Sequence, residues 1–330
     1  MNKIDQKIFL ARKITAGFLT HTPLLTDLLL KGRKRMTGRS GSLTTDATTS
    51  YCYAVWMRHL LSWHKTGARF PAAIAEIGPG NSLGVGLAAL LCGVDRYHGL
   101  DTVAHMDDQK NEEIFAGLIE LFRSRAPIPD HEEYPDLGAL PSYRFPEHIL
   151  SAERMKGALD TRRLDQIRRN LRNLSRSDGN GMIAYSAPWH QGLTPGIIGS
   201  CDWIFSQFVM EHVDDLPGVY ELCHRLLRPS GGMSHHIDFR SHWTSYEWNG
   251  YWTYGDLTWK LIRGKRNYFI NRAPLSEHIA CMKTAGFGQL EVQRTEGETC
   301  LTQKELASRF RSLTKDDLQT MFAIIIARKL

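Results

Sequence analysis

Short apolar runs alternate with amphipathic stretches from about residue 72 to the end of the chain. The run at residues 72–77 stops at a glycine-rich turn, and a helix is predicted directly after it at residues 83–91. Six further strands are predicted at residues 97–100, 182–185, 202–206, 233–238, 290–293 and 321–327. Helices are predicted between them at residues 108–124, 216–227 and 274–285. This alternation predicts an α/β fold with a mostly parallel sheet that helices cover on both faces.

The 330 residues suit one α/β core with additions better than two independent domains. Residues 1–70 predict a helical N-terminal extension, with a helix at about 51–63 and a loop rich in Gly, Ser and Thr before it. Residues 71–330 form the predicted main domain, with one insertion at about 126–180 and another at about 240–272. A charged helix is expected at about 151–174. The Pro-Ser-Gly-Gly cluster at residues 229–232 predicts the end of the preceding helix.

Charge and cysteine usage narrow the possible functions only slightly. The net charge of +6 favours anionic ligands, but part of the excess lies in runs at residues 31–35 and 162–176, which also suit solvated faces. The six cysteines are scattered without a C-x-x-C pair, which favours a reducing cytoplasm over a disulfide framework or a zinc site. No signal peptide and no membrane span is predicted. The leucine-rich residues 24–30 predict at most a peripheral membrane contact, and a helix packed on the core is favoured.

A glycine-rich turn that contains Gly78, Pro79 and Gly80 follows the first strand. Glycine lets a strand turn sharply into a helix while the backbone approaches a ligand closely. The spacing is G-x-G-x-x-x-G, whereas NAD sites use G-x-G-x-x-G to place a pyrophosphate on a helix N-terminus. Glu76 lies two residues before the turn, where a carboxylate disfavours a pyrophosphate and suits the cationic end of S-adenosylmethionine. Asp101 ends the second strand, where a carboxylate can accept both hydroxyls of a ribose; its alternative role is that of a cap or turn residue.

Three segments in sequence order resemble the class I S-adenosylmethionine-dependent methyltransferases. Residues 75–80 (Ala-Glu-Ile-Gly-Pro-Gly) resemble the first motif of that family, residues 201–216 resemble its fourth-strand block, and residues 225–232 resemble the loop that enters strand five. The resemblance covers about residues 70–240 and 274–328. It implies a Rossmann-like sheet with an antiparallel last strand, S-adenosyl-L-methionine as the cofactor, and methyl transfer as the reaction.

The resemblance also assigns roles to individual positions. It places Glu76, Gly78, Pro79 and Gly80 at the methionine end of the cofactor and Asp101 at the ribose. It places Ala187 and Pro188 near the adenine, and Ser206 and Gln207 beneath the sulfonium. It implies that Glu211 and His212, which follow the fourth strand, have a structural role.

Polar residues at the carboxyl end of the fifth strand are the candidates for acceptor chemistry. The segment 235–242 is similar to one in methyltransferases of polysaccharide and O-antigen biosynthesis, from which Ser241 departs by replacing a second aspartate. A hydroxyl acceptor needs a general base, and His235 or His242, oriented by Asp238, could supply one. Strand alternation puts His235 and Asp238 on opposite faces as long as the strand continues. A metal-free base is the favoured interpretation; a metal site is the alternative, ranked lower because no acidic cluster accompanies these histidines.

Nine aromatic residues lie between residues 242 and 271. Large aromatic faces suit sugar rings, so Trp248 and Trp252 are candidates for acceptor binding, and a helical lid packed on the core is the alternative. The leading prediction is O-methylation of a sugar or glycan hydroxyl. A small natural product is a second possible acceptor. An RNA-binding methyltransferase is a third possibility, which the arginine-rich helix would serve, although no recognisable RNA-binding module predicts specific nucleic-acid binding. The oligomeric state cannot be predicted from these patterns.

Overall fold

The computed structural model describes residues 3–21, 47–174, 181–299 and 301–330. The strands are β1 Ala73–Ile77, β2 Arg96–Leu100, β3 Ile183–Ser186, β4 Cys201–Gln207, β5 Leu227–Asp238, β6 Phe287–Glu296 and β7 Thr320–Lys329. The helices are α1 Lys3–Leu19, α2 Thr49–Lys65, α3 Gly84–Leu91, α4 Asp108–Arg123, α5 Ala152–Ala158, α6 Thr161–Arg172, α7 Leu216–Leu226, α8 Asp256–Arg263, α9 Leu275–Thr284 and α10 Lys315–Gln319.

The seven strands form one sheet in the order β3-β2-β1-β4-β5-β7-β6. The pairs from β3 to β5 are parallel, and β7 runs antiparallel to both of its neighbours. The predicted Rossmann-like α/β sheet with an antiparallel last strand is confirmed. The strand order reverses between β1 and β4, where open α/β sheets bind their ligands beyond the carboxyl ends of the strands.

The helix predicted at residues 216–227 is present, but the cluster at residues 229–232 that was expected to end it lies inside the strand that follows. Helix α7 stops at Leu226, and β5 begins at the next residue and runs through the cluster. Because one residue of β4 faces four of β5 between the pairs Cys201–Leu227 and Trp203–Gly232, the extra residues form a bulge. The proline and glycines therefore shape an irregular strand entry. The predicted charged helix is likewise two helices, since Asp160 caps a new start for α6.

Helix α2 is part of the central core. Its side chains Tyr53, Trp56 and Met57 have no exposed surface and pack in the same cluster as Trp203 and Phe205 of β4. The sequence assigns this segment to an N-terminal extension, but it covers one face of the sheet together with α3 and α4. Helices α7 and α9 cover the other face, so the sheet is buried on both sides as predicted.

The segment between β5 and α9 packs with the N-terminal helix. Tyr251, Trp252 and Trp259 lie in a third hydrophobic cluster, which Leu10 of α1 also contacts. A Cβ on Gly17 of α1 would lie 1.9 Å from the carbonyl oxygen of Leu261, so glycine allows the two helix backbones to touch. For these three residues, burial in a packed lid therefore explains the aromatic side chains better than contact with a sugar does.

Some sequence-based expectations fall outside the described residues. The leucine-rich residues 24–30 and the basic run 31–35 both belong to the segment 22–46. Within the described ranges, no helix has the length and apolar character needed to cross a bilayer.

Candidate active site

The carboxyl ends of β1, β2, β4 and β5 surround a cavity of about 350 Å³, a size typical of small-molecule sites. It brings together eight residues that the sequence singles out: Glu76, Gly78, Pro79, Gly80, Asp101, Gln207, Asp238 and His242. The candidates for the cofactor and for the acceptor chemistry therefore share one cavity, with the glycine turn at one end and the segment after β5 at the other.

The glycine turn leaves its backbone open to this cavity. Gly78 and Gly80 both have φ +70°, a conformation that side chains rarely adopt. A Cβ at Gly78 would lie 2.7 Å from a methyl group of Val209, which follows β4. The turn is thus as close to the neighbouring strand end as a glycine allows, which is the close approach that the sequence predicts.

Asp101 is fixed at the end of β2 with only 7% of its surface exposed. Its Oδ2 accepts from the Gly80 amide at 3.0 Å, and its Oδ1 accepts from the Thr102 amide at 2.7 Å. Each carboxylate oxygen keeps a second lone pair. The side chain can therefore brace the glycine turn and still accept hydrogen bonds from a ligand in the cavity, so both interpretations from the sequence apply.

Glu76 lines the cavity and is buried. Tyr97 donates a hydrogen bond of 2.6 Å to its Oε2. Burial raises the pKa of Glu76 to about 8, although the hydrogen bond from Tyr97 lowers it. A cation bound nearby would favour the ionised carboxylate, whereas a bound pyrophosphate would oppose ionisation.

The two residues predicted at the end of β4, Ser206 and Gln207, lie in different environments. Gln207 lines the cavity and contacts His59 through Oε1 at 3.2 Å and His236 through Nε2 at 3.0 Å. Ser206 is fully buried behind it. Ala187 and Pro188 are also not among the residues that line the cavity, although Trp189, next in the chain, donates its amide to the carbonyl of Asp101 at 2.8 Å.

His235 does not face the cavity. Its ring has no exposed surface, its Nδ1 lies 2.7 Å from Ser206 Oγ, and Tyr220 of α7 packs edge-on against it. Because β5 continues to Asp238, strand alternation still applies and puts His235 on the face opposite Asp238. Burial lowers the pKa of His235 to about 3. The structure thus separates this candidate base from the site and leaves His242.

Asp238 is held in place by a guanidinium. Arg240 donates to it from Nε at 3.0 Å and from Nη2 at 2.7 Å, and it also bridges to Asp136 at 3.0–3.1 Å. Burial alone would raise the pKa of Asp238, but its contacts with His242 and Arg240 outweigh burial and lower it to about 2. His242 Nε2 lies 3.1 Å from Asp238 Oδ2, within ion-pair distance. The predicted pairing of Asp238 with His242 is therefore present, and the acid at residue 136 comes from the first insertion.

Glu211 and His212 also line the cavity, a position that the sequence interpretation misses. Both carboxylate oxygens of Glu211 are buried without a hydrogen-bond partner, and so is Nδ1 of His212. Burial raises the pKa of Glu211 well above its usual range and lowers the pKa of His212 to about 4. The rings of His212 and His242 meet edge-on at 5.2 Å. The signal available in the sequence was the type of these two residues and their position shortly after β4, the strand next to β5.

The aromatic segment does not supply the predicted acceptor contacts through Trp248 and Trp252. Trp252 is fully buried and donates its Nε1–H to the carbonyl of Arg272, and Trp248 donates to the carbonyl of Glu298, outside the cavity lining. Tyr268 lines the cavity, and Trp243, next to His242, is 81% exposed. The aromatic faces open to a ligand are therefore not those chosen from the sequence.

No protein-family model matches the chain, and no curated protein matches it. Several solved structures are similar to it. Phosphoethanolamine N-methyltransferase 2 of Haemonchus contortus, in complex with phosphomonomethylethanolamine and S-adenosylhomocysteine, is 14% identical with a TM-score of 0.41 over 86% of this chain and 59% of its own. Also similar is an S-adenosylmethionine-dependent methyltransferase from Mesorhizobium loti, which is 13% identical with a TM-score of 0.37 over 86% of this chain and 99% of its own. Another, from Methanosarcina mazei, is 13% identical with a TM-score of 0.40 over 81% of this chain and 97% of its own. This chain thus spans about three fifths of the Haemonchus protein, and likenesses of this extent concern the fold, which the strand order already establishes.

Proposed function

We propose that the chain is an S-adenosylmethionine-dependent methyltransferase that acts on a hydroxyl group of a small-molecule or glycan acceptor. The observation that carries the proposal is the shared cavity, in which the turn at Gly78 and Gly80 and the carboxylate of Asp101 face the pair of Asp238 and His242. One end offers contacts for a nucleoside, and the other offers groups that can act on a proton.

The residues at the first end fit the cofactor. The backbone at Gly78, Pro79 and Gly80 gives room for close approach, Asp101 has lone pairs for the ribose hydroxyls, and Glu76 offers an acid near the cationic methionine end. When bound, S-adenosylmethionine supplies a methyl group to the acceptor oxygen, while its sulfur keeps the electron pair of the broken C–S bond. Gln207 would lie beneath the reacting centre. Ser206, Ala187 and Pro188 would contribute by supporting the walls of the site.

The residues at the second end suit an oxygen acceptor. A neutral hydroxyl is a poor nucleophile, so the enzyme must remove its proton as the methyl group arrives. His242 is the one of the two candidate histidines that reaches the cavity, and Asp238 and Arg240 fix its surroundings. We assign activation of the acceptor to His242 and positioning of its ring to Asp238.

A saccharide is the acceptor class that we favour. Tyr268 lines the cavity, and the exposed indole of Trp243 directly follows His242 in the chain, so these two aromatic side chains are the candidates for contact with the acceptor. Sugar rings stack their C–H faces on such side chains. The arginine-rich helix α6 offers less to RNA than its sequence suggests, because Arg172 pairs with Glu112 at 2.6 Å and Arg163 donates to carbonyls of the main domain.

Replacing Trp243 with alanine is expected to raise KM for a saccharide acceptor several-fold and to leave kcat nearly unchanged, because the indole contributes binding and not chemistry. The measurement is steady-state methyl transfer to a panel of nucleotide sugars, lipid-linked oligosaccharides, small phenols and alcohols, and RNA. Trp248→Ala is the matched control, since its indole donates to the carbonyl of Glu298 and, unlike Trp243, it is not next to a residue that lines the cavity. Equal KM values in the two variants would contradict the role of Trp243. Transfer confined to RNA would contradict the hydroxyl-bearing small acceptor altogether.

A further inference from the structure

We propose that Glu211, His212 and His242 bind a divalent transition-metal cation at the acceptor end of the cavity. One ligand atom from each side chain lies within 4.8 Å of the other two. Ligands of one tetrahedral or octahedral ion bonded at about 2.1 Å lie roughly 3–4 Å apart. Small side-chain adjustments would therefore bring the three atoms to bonding distance.

The hydrogen-bond pattern supports a missing partner at this place. Glu211 is only 4% exposed, yet neither of its carboxylate oxygens has a hydrogen-bond partner. Nδ1 of His212 is buried without a hydrogen bond as well. Buried polar atoms are satisfied in most proteins, because a buried polar atom without a hydrogen bond destabilises the folded state. Three such atoms, on two residues that line one cavity, are accounted for together by a single bound cation.

The surrounding structure holds these ligands in place. The side-chain Nδ2 of Asn271 donates to the backbone carbonyls of Met210 and Val213. The backbone amide of Asn271 donates to the backbone carbonyl of Glu211. The tight turn that carries Glu211 and His212 is thus fixed from the aromatic segment. Asp238, 3.1 Å from His242 Nε2, is anchored by Arg240 and provides the neighbouring carboxylate that often accompanies a ligating histidine.

The donor set selects the kind of ion. Two imidazoles and one carboxylate suit Zn²⁺ and similar first-row cations, whereas Mg²⁺ prefers oxygen ligands alone. Three protein ligands leave coordination positions open, as catalytic zinc sites do. Because the open positions face the cavity, an acceptor with two neighbouring oxygens, such as the vicinal hydroxyls of a saccharide, could occupy them.

This site would also explain how His242 acts. The following step rests on the proposed methyltransferase function. A hydroxyl oxygen bound to the cation would have a lowered pKa and would release its proton to water. The resulting alkoxide would bond to the methyl carbon as the C–S bond of the cofactor breaks and the sulfur keeps its electron pair. In that arrangement His242 is a ligand that holds the cation, and the cation removes the need for a separate strong base.

The test is calorimetric titration of the chelator-treated full chain with Zn²⁺ alone, without cofactor or acceptor. We expect one ion per chain at the site, an affinity at least tenfold lower in Glu211→Gln and in His242→Ala, and an unchanged affinity in His105→Ala. His105 is the matched control because it lines the same cavity outside the cluster. Mg²⁺ is expected to bind at least tenfold more weakly than Zn²⁺.

A second measurement keeps the test valid if a variant fails to fold. X-ray absorption of the zinc-loaded wild type should show two imidazoles and further oxygen ligands. Sulfur ligation or an absence of zinc binding would overturn the inference. Zinc binding that Glu211→Gln and His242→Ala leave unchanged would also overturn it. Binding of S-adenosylhomocysteine is measured separately. A chain that binds this ligand but no zinc contradicts the cation site alone, and one that binds zinc but not the ligand contradicts the proposed function alone.

Discussion

Replacement of His242 with alanine is expected to lower the rate of methyl transfer by about a hundredfold or more, while the affinity for S-adenosylhomocysteine stays the same. His242 lies at the acceptor end of the cavity, 3.1 Å from Asp238, and away from the glycine turn. Its loss therefore removes activation of the hydroxyl, whether through a proton or a bound cation, and leaves the nucleoside contacts intact. Single-turnover transfer at saturating cofactor measures this step directly, because product release does not enter.

Two other histidines provide the comparison. His64→Ala, on the exposed side of α2, should leave the single-turnover rate unchanged. His235→Ala is expected to lower the melting temperature because its ring is fully buried against Ser206 and Tyr220, and the folded protein should react at close to the wild-type rate. A rate in His242→Ala equal to that of His64→Ala would remove His242 from the chemistry.

Replacement of Asp101 with alanine is expected to weaken binding of S-adenosylhomocysteine by about 1–3 kcal/mol, the cost of leaving ribose hydroxyls without a charged acceptor. The carboxylate also accepts from the amides of Gly80 and Thr102, so its loss loosens the turn that the ligand contacts. Asp101→Asn keeps the shape and one acceptor oxygen, and its affinity should lie between those of the wild type and the alanine variant.

Calorimetry on the purified variants tests this prediction, with thermal unfolding to show that each is folded. Asp165→Ala on the surface of α6 is the matched control and should bind as the wild type does. Unchanged affinity in a folded Asp101→Ala protein would mean that the ribose is held elsewhere, and the placement of the cofactor along the glycine turn would then be wrong.

The sheet could be predicted from the sequence because each strand is a short apolar run and each boundary carries a turn signal. The strand entry at residues 227–232 could not, since proline and glycine end a helix and shape a bulge equally well. The position of α2 was also missed: its apolar pattern shows that it packs on something, but not that Trp56 meets β4.

The candidate site shows the same division. Gly78, Gly80 and Asp101 follow local rules for a βα turn, so their convergence was predictable. The choice between His235 and His242 depended on where β5 ends, and strand boundaries are the least reliable part of a sequence-based prediction. The sequence interpretation ranked a metal site low because no acidic cluster accompanies the histidines. Glu211 supplies an acid from a neighbouring strand end, a contact that only the sheet order reveals.

The central claim is that this cavity binds S-adenosylmethionine, and the most direct test is calorimetric titration of the wild-type chain with S-adenosylhomocysteine and, separately, with NAD. We predict saturable one-to-one binding of S-adenosylhomocysteine, with little or no heat from NAD, because the turn has the spacing G-x-G-x-x-x-G instead of the G-x-G-x-x-G of NAD sites and because an acid beside it, Glu76, ionises more readily next to a cationic ligand than next to a pyrophosphate. Saturable binding of NAD together with no binding of S-adenosylhomocysteine would contradict the account.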